Sequence, residues 1–360
     1  MIRVLIVDDS ITQREILKQV LEADGDFIVV GQARDGSQVV DLVRECRPDV
    51  VVMDIHMPNM DGIEATRQVM SQCPVPIVIA SSTLKKLDVD HGLRAIEAGA
   101  VSVVMKPEGA ALLHLKKIAP ELRFQLQAAA QANVSRLTSI ARNSAPQVAH
   151  QGTKLRSNKE SQFTDRNSQI IEAIGVCAST GGPGVLCEIF GNLPKPYPIP
   201  ILLVQHISQG FVEGFGQWLA SQTGQPVGIA TEGQRLTPGI WLAPMRRHLA
   251  LASPSRVLLP NRETADIHCP SGDPLFKSLA RFLGPKAVGV QLTGMGNDGA
   301  HGLLALKEAG GDTVIQSKES CLIWGMPKVA QELGAANHEL SPLAIAGALS
   351  RLKTRQETPQ

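Results

Sequence analysis

The chain has 360 residues, 43% of them hydrophobic and 19% charged, with a net charge of +1. That length predicts two domains with cores of their own, and the near-zero charge gives no footing for a nucleic acid or membrane partner. The apolar run of the first residues is too short for a signal peptide, no segment is expected to enter a bilayer, and six scattered cysteines without C-x-x-C spacing read as thiols of a reducing cytoplasm.

Residues 2 to about 118 alternate short apolar strands with amphipathic helical stretches. Strands are expected at Arg3–Val7, Phe27–Gly31, Asp49–Met53, Ile77–Ala80 and Val101–Met105, with helices at Ile11–Ala23, Ser37–Cys46 and Gly62–Ser71. Five such βα units predict a doubly wound parallel sheet whose strand C-termini share one face. Asp8 and Asp9 end the first strand, Asp54 the third, Ser81 the fourth and Lys106 the fifth. Three crowded carboxylates repel one another unless a cation sits among them, and oxygen ligands with room for water suit Mg²⁺. An Asp pair alone is usually a turn or cap; the whole set at four strand ends is more specific.

The pieces V-D-D-S, M-D-I-H-M-P-N-M-D-G, A-S-S and M-K-P resemble the receiver domain of two-component response regulators. The resemblance implies a flavodoxin-like fold over residues 1–120. It implies that Asp54 accepts phosphate from a chemotaxis-type histidine kinase, that Asp8, Asp9 and Asp54 hold Mg²⁺, and that Ser81 and Lys106 contact the phosphoryl group. Val103 stands where many receivers carry an aromatic switch residue.

Residues 121–167 change character. Gln125–Ala132 is rich in alanine and glutamine and extends the last helix, while Asn143–Asp165 is polar and poor in large apolar side chains, as linkers are.

From Ile170 the βα alternation resumes and predicts a second parallel-sheet domain over 168–355. The run A-I-G-V-C-A-S-T-G-G-P-G reads as a buried strand, a tight turn at Ser179-Thr180-Gly181-Gly182 and a helix start at Pro183. Such a turn places a hydroxyl at the carboxyl edge of a sheet, beside the free N–H groups of a helix N-terminus. An isolated Ser or Thr there is more often a helix cap. Two further strands argue otherwise: Ile199–Gln205 runs into His206, and Ala287–Thr293 runs into the loop G-M-G-N-D-G that holds Asp298. As neighbours in one sheet, these strands would bring together a hydroxyl, an imidazole and a carboxylate, which is what acyl transfer needs. Helices are expected at Gly184–Gly191, Phe211–Ser221, Asp273–Leu283, Asp298–Ala309, Lys328–Leu333 and Pro342–Leu352. Short strands are expected at Val227–Ala230, Ile240–Ala243, Leu249–Ala252, Val257–Leu259 and Thr313–Gln316, the first four making a hairpin insertion at one sheet edge.

A-S-T-G-G-P, Q-H-I-S-Q-G-F, L-T-G-M-G-N-D-G-A and S-C-L-I-W-G-M-P resemble the catalytic domain of chemotaxis protein-glutamate methylesterases. The resemblance implies hydrolysis of glutamate γ-methyl esters on chemoreceptors, with deamidation of glutamines, in the cytoplasm and with no cofactor in this domain. Ser179 would be the nucleophile, His206 the general base, Asp298 its orienting carboxylate, the Met295 backbone an oxyanion donor and Thr180 a supporting residue. It also implies that the receiver covers the catalytic cleft until phosphorylated. Cys177 stands where the family commonly has Gly. Pro244-Met245-Arg246-Arg247-His248 replaces P-G-D-R-H, and His268-Cys269-Pro270-Ser271 replaces H-R-P-S.

Two other readings are open to the residues. G-M-G-N-D-G formally satisfies the dinucleotide pattern G-x-G-x-x-G, but the next strand ends in Gln316-Ser317 instead of the acidic residue that would hold a ribose, and Asp298 would oppose a pyrophosphate. A receiver joined to a non-catalytic adaptor would leave Ser179, His206 and Asp298 as caps and core polar groups. His56, His91, His114 and His301 read as solvated.

Overall fold

The computed structural model describes residues 1–81, 86–106, 112–133, 136, 169–208, 210–264, 266 and 268–354. It divides into two compact units, Met1–Ala149 with Ile207–Gly214, and His150–His206 with Phe215–Gln360. The polar linker expected at 143–165 lies outside the described residues.

The first unit runs β1 (Ile2–Val7), α1 (Ile11–Glu22), β2 (Phe27–Ala33), α2 (Val39–Cys46), β3 (Val50–Asp54), α3 (Gly62–Gln72), β4 (Ile77–Ser81), α4 (Lys86–Glu97), β5 (Ser102–Met105) and α5 (Leu112–Ala130). Its five strands pair in parallel in the order β2-β1-β3-β4-β5. Val4–Val7, Val50–Met53 and Ile77–Ala80 are almost wholly buried, as strands covered on both faces must be. The helix starts are capped locally: the Ser10 hydroxyl accepts from the Gln13 N–H, and the Asp61 carboxylate from that of Glu64. α5 reaches Ala130, so the alanine-rich stretch does continue that helix.

The second unit continues with β6 (Ala173–Ala178), α6 (Gly182–Gly191), β7 (Ile201–Gln205), α7 (Val212–Thr223), β8 (Val227–Ile229), β9 (Ile240–Leu242), β10 (Ala250–Ser253), β11 (Arg256–Leu258), α8 (Gly272–Phe282), β12 (Ala287–Gln291), α9 (Ala300–Glu308), β13 (Asp312–Gln316), α10 (Met326–Glu332), β14 (His338–Leu340) and α11 (Pro342–Ser350). Seven strands form a parallel sheet in the order β14-β13-β12-β6-β7-β9-β8. β6 lies at the point where the chain's winding reverses, with β7 on one side and β12 on the other, and α/β sheets bind ligands at such points.

Two expectations change here. Of the four short strands expected to form an inserted hairpin, only β10 and β11 pair antiparallel; β9 and β8 join the main sheet in parallel beside β7. β14, a strand of three residues, was not expected at all.

Two strand glycines have a packing cause. Gly175 and Gly289 sit side by side in β6 and β12. A Cβ on Gly175 would stand 2.5 Å from Leu279 of α8, and one on Gly289 would stand 2.6 Å from Leu303 of α9. The helices press onto the sheet where the side chains are missing, and Phe276, Leu279 and Leu303 are fully buried there. Each such side chain contributes about 1.5–3 kcal/mol.

Candidate active site

Register puts the nucleophile candidate and the base candidate at one level. Ala178 pairs with Gln205, so Ser179 and His206 leave adjacent strand ends together, and the His206 N–H donates to the Ala178 carbonyl (2.9 Å). The buried Gln205 side chain binds both turns, its amide donating to the carbonyls of Ser179 (2.9 Å) and His206 (2.8 Å). On the other side the Ser179 N–H donates to the Thr293 carbonyl (3.0 Å), and the Thr293 hydroxyl donates to the carbonyl of Thr180 (3.2 Å). These bonds fix the turn from both flanking strands.

Ser179 is wholly buried, and its hydroxyl has no hydrogen-bond partner among the described residues. It precedes α6, where Gly181 takes the left-handed conformation (φ 80°) that lets the strand reverse into the helix. The loop after β12 lies directly against it: a Cβ on Gly294 would stand 2.6 Å from that of Ser179. Met295, next in that loop, is half-buried, and Thr180 is buried.

Asp298 does not end its strand. β12 stops at Gln291, and Asp298 lies farther on, in the loop before α9, which begins at Ala300 and not at Asp298. From there its Oδ2 meets His206 Nε2 at 2.8 Å. The same oxygen accepts the Gly272 N–H (2.7 Å), and Oδ1 accepts the Ser271 hydroxyl. Burial alone would raise the carboxyl's pKa. The hydrogen bond and charge of His206, with the bonds from Ser271 and Gly272, outweigh it and hold Asp298 well below the usual carboxylate range.

An ionised carboxylate on Nε2 makes that nitrogen the N–H of a neutral ring. Nδ1 is then the basic nitrogen, and it is buried with no partner among the described residues. The well-studied serine-protease triad uses its imidazole the other way round, with Nδ1 on the aspartate.

Two residues of this site were not assigned from sequence. His268 stacks on His206, with ring centroids 4.7 Å apart and planes 14° from parallel. Ser271 holds the outer oxygen of Asp298 and caps α8. Both lie in the stretch His268-Cys269-Pro270-Ser271, whose resemblance was the available signal. In the neighbouring altered motif, Arg246 takes a left-handed backbone (φ 60°), Arg247 binds Glu232 (3.0 Å), and buried His248 binds Asp266 (2.9 Å).

The dinucleotide reading has no support here. Gln316 is wholly buried, accepting from the Thr293 N–H (2.9 Å) and donating to the Ser320 carbonyl (2.8 Å), and Asp298 occupies the loop where a pyrophosphate would lie.

The first unit gathers its polar residues by the same logic. Val7 pairs with Met53, Asp54 with Ala80 and Ser81 with Met105, so Asp8, Asp54, Ser81 and Lys106 stand along one sheet edge. All four are buried, whereas Asp9 is exposed. Lys106 Nζ lies 2.6 Å from Asp8 Oδ2 and 2.8 Å from Asp54 Oδ1. Burial pushes the Asp54 carboxyl up and the Asp8 charge adds to it, against the pull of Lys106. Asp8, Asp9 and Asp54 each offer an oxygen within 4.8 Å of the others, a hard-donor set that fits Mg²⁺ and leaves an open side at Asp9 for water. His56 and His91 meet edge to face at 5.2 Å, so His91 is half-buried instead of solvated, while His301 is exposed as expected; the His114 side chain lies outside those described.

A family model described as CheB methylesterase matches residues 174–349, and one described as response regulator receiver domain matches residues 4–117. The chain is 37% identical over 358 residues to protein-glutamate methylesterase/protein-glutamine glutaminase 2 of Methanospirillum hungatei, covering 99% of this chain and 100% of that one. It is 40% identical over 352 residues to protein-glutamate methylesterase/protein-glutamine glutaminase 3 of Anaeromyxobacter dehalogenans, covering 97% and 98%. Among solved structures, the Thermotoga maritima CheB methylesterase catalytic domain matches at 34% identity and a TM-score of 0.48, covering 50% of this chain and 97% of that one. No helix among the described residues is long and apolar enough to cross a membrane.

Proposed function

The chain belongs to the CheB methylesterase family and carries a response regulator receiver domain, and from that premise we propose how its own residues perform and regulate the reaction. The activity is hydrolysis of protein glutamate γ-methyl esters, with deamidation of protein glutamines, in chemotaxis signalling. Residues 1–120 form the receiver, 121–167 the helix extension and linker, and 168–355 the catalytic domain. The substrates are methylated chemoreceptors, the phosphodonor is a histidine kinase, and the compartment is the cytoplasm.

Ser179 Oγ attacks the side-chain carbonyl while His206 Nδ1 takes its proton. Asp298, already ionised, stabilises the imidazolium through Nε2–H and needs no proton of its own. The oxyanion meets backbone N–H groups at Met295 and at the α6 N-terminus, with Thr180 supporting the turn. Collapse of the intermediate passes the proton from Nδ1 to the departing methoxide, releasing methanol, or ammonia from an amide. Water then attacks the acyl-serine, with His206 again as base, and frees the glutamate. No cofactor enters these steps. The observation that carries this reading is the 2.8 Å His206–Asp298 bond, made beside the strand that ends at Ser179. Methanol release from methylated receptor should fall by about 10⁴–10⁶ in Ser179→Ala; release at the wild-type rate would remove Ser179 as the nucleophile.

In the receiver, Asp54 accepts the phosphoryl group, and Ser81 and Lys106 contact it. Asp8, Asp9 and Asp54 would hold Mg²⁺, which when bound neutralises charge on the phosphoryl oxygens. Lys106 already bridges the two buried carboxylates. With Val103 at the usual aromatic position, phosphorylation is relayed to the catalytic domain without that ring.

A further inference from the structure

Asp298 Oδ2 has a third neighbour that the reaction does not use. Cys177 Sγ lies 3.8 Å away as a thiol donor, buried at the end of β6 two residues before the nucleophile. Three protons therefore point at one oxygen: the Gly272 N–H, the Nε2–H of His206 and the S–H of Cys177. A sulfur, an imidazole nitrogen and a carboxylate oxygen lie within 4.8 Å of one another. That donor set, with one soft sulfur and one nitrogen, is the set zinc prefers over the hard cations that suit the receiver. The carboxylate is also braced as a ligand should be, since Ser271 and Gly272 hold both of its oxygens.

We infer that Cys177, His206 and Asp298 form a Zn²⁺ site, and that zinc reversibly inhibits this esterase by occupying its catalytic dyad. The exchange balances. The thiol loses its proton to solvent and binds as thiolate, the ring proton moves from Nε2 to Nδ1, and Nε2 takes the metal. His206 then has no lone pair with which to accept the Ser179 proton, so the nucleophile stays protonated. The dyad must open, because a 2.8 Å contact is shorter than the spacing of two zinc ligands, each of which sits at about 2.0–2.2 Å from the metal. The His206 side chain keeps 10% of its surface exposed, which gives the ion its approach. Burial and the Asp298 charge raise the Cys177 thiol well above its ordinary pKa.

The test is addition of Zn²⁺, and separately of Co²⁺, to the full-length protein and to its Cys177→Ala and Cys177→Ser variants. About one equivalent of zinc should inhibit the wild type, EDTA should restore activity, and cobalt should give a sulfur-to-metal charge-transfer band. Both variants should lose the band and should need at least about tenfold more zinc for half-inhibition. The serine variant keeps the shape of the site, so a folding defect in the alanine variant leaves the test intact. Equal zinc sensitivity in wild type and variants, as binding at the receiver carboxylates would give, overturns the proposal. So does a cobalt band that survives in Cys177→Ser, or a wild type that zinc leaves active and in which cobalt gives no band. The inhibition readout rests on His206 as the base, but the band does not; a band without inhibition would count against the base assignment while leaving the metal site in place.

Discussion

The imidazoles of His206 and His268 lie stacked, 4.7 Å between centroids and 14° from parallel, so the proposed general base is held by a second histidine ring on one face and by Asp298 through Nε2. Burial lowers the pKa of His268, and the neighbouring His206 charge lowers it further, outweighing the upward pull of Asp298. The stacking places the ring where it can fix the plane of the proposed base.

His268→Ala should therefore lower kcat by about tenfold with little change in KM, since misplacing a reacting group costs rate before it costs binding. His268→Phe keeps a flat ring and should recover much of the loss. Equal defects in both variants would show that the ring plane is not what matters. The depressed pKa also has a sign for stability. Below the ordinary value of 6.5 the unfolded chain takes this proton more readily than the folded one, so the group destabilises the fold as pH falls. Denaturant titrations at pH 7 and pH 5 should show a smaller acid loss in His268→Phe than in wild type.

Asp298→Asn keeps the shape of the site but withdraws the charge that fixes the His206 tautomer. A loss of about 10⁴ in kcat is expected, as for the corresponding change in a serine protease. Ser271→Ala removes one of the bonds to the same carboxylate and should cost about ten- to hundredfold, in line with about 1.5–3 kcal/mol for one hydrogen bond to a charged group. Methanol release by both variants would order the two effects; a Ser271→Ala defect as large as that of Asp298→Asn would mean that Ser271 has a direct part in the chemistry.

Lys106→Met leaves Asp8 and Asp54 buried without their shared cation. In the absence of Mg²⁺ the receiver should lose about 3–5 kcal/mol, the usual consequence of stripping one partner from a buried ion pair. Mg²⁺ should restore more stability to this variant than it adds to wild type, because the metal takes over the neutralising charge. Thermal melts with and without Mg²⁺ measure both. In Asp54→Asn, loading by a small phosphodonor should be abolished, and full labelling of that variant would remove Asp54 as the acceptor.

Cutting the chain within residues 144–161 separates receiver from esterase. If the receiver restrains the enzyme, the fragment 165–360 should exceed the unphosphorylated full-length protein on a soluble substrate and approach the phosphorylated one. Tenfold activation needs only about 1.4 kcal/mol of differential stabilisation, which a phosphoryl group readily supplies. Equal activity of the fragment and the unphosphorylated protein would leave the receiver as a tether only.

Much of this protein is determined by its sequence alone, for a local reason. A short apolar run such as Ile201–Gln205 reads as a strand covered on both faces, and the Gly-Gly-Pro turn after Ser179 as the passage from strand to helix, and both are found as such. Hence two parallel α/β sheets, and the polar residues at their carboxyl edges, are legible without coordinates. Partner choice is not local. Nothing in Val227–Ile229 or Ile240–Leu242 says that they pair in parallel with the main sheet, since alternation gives a strand its faces but not its neighbour. Strand β14, at His338–Leu340, is too short for any periodicity to register. The same limit governs the site. Ser179 and His206 follow from strand ends, whereas Asp298 reaches His206 from a loop 92 residues away, and His268 and Ser271 arrive beside them on the approach to α8. Which imidazole nitrogen faces Asp298, and that Cys177 shares the same carboxylate oxygen, were decided only by the packing of β6 between β7 and β12, because hydrogen bonds between distant residues exist only once the chain has brought them together.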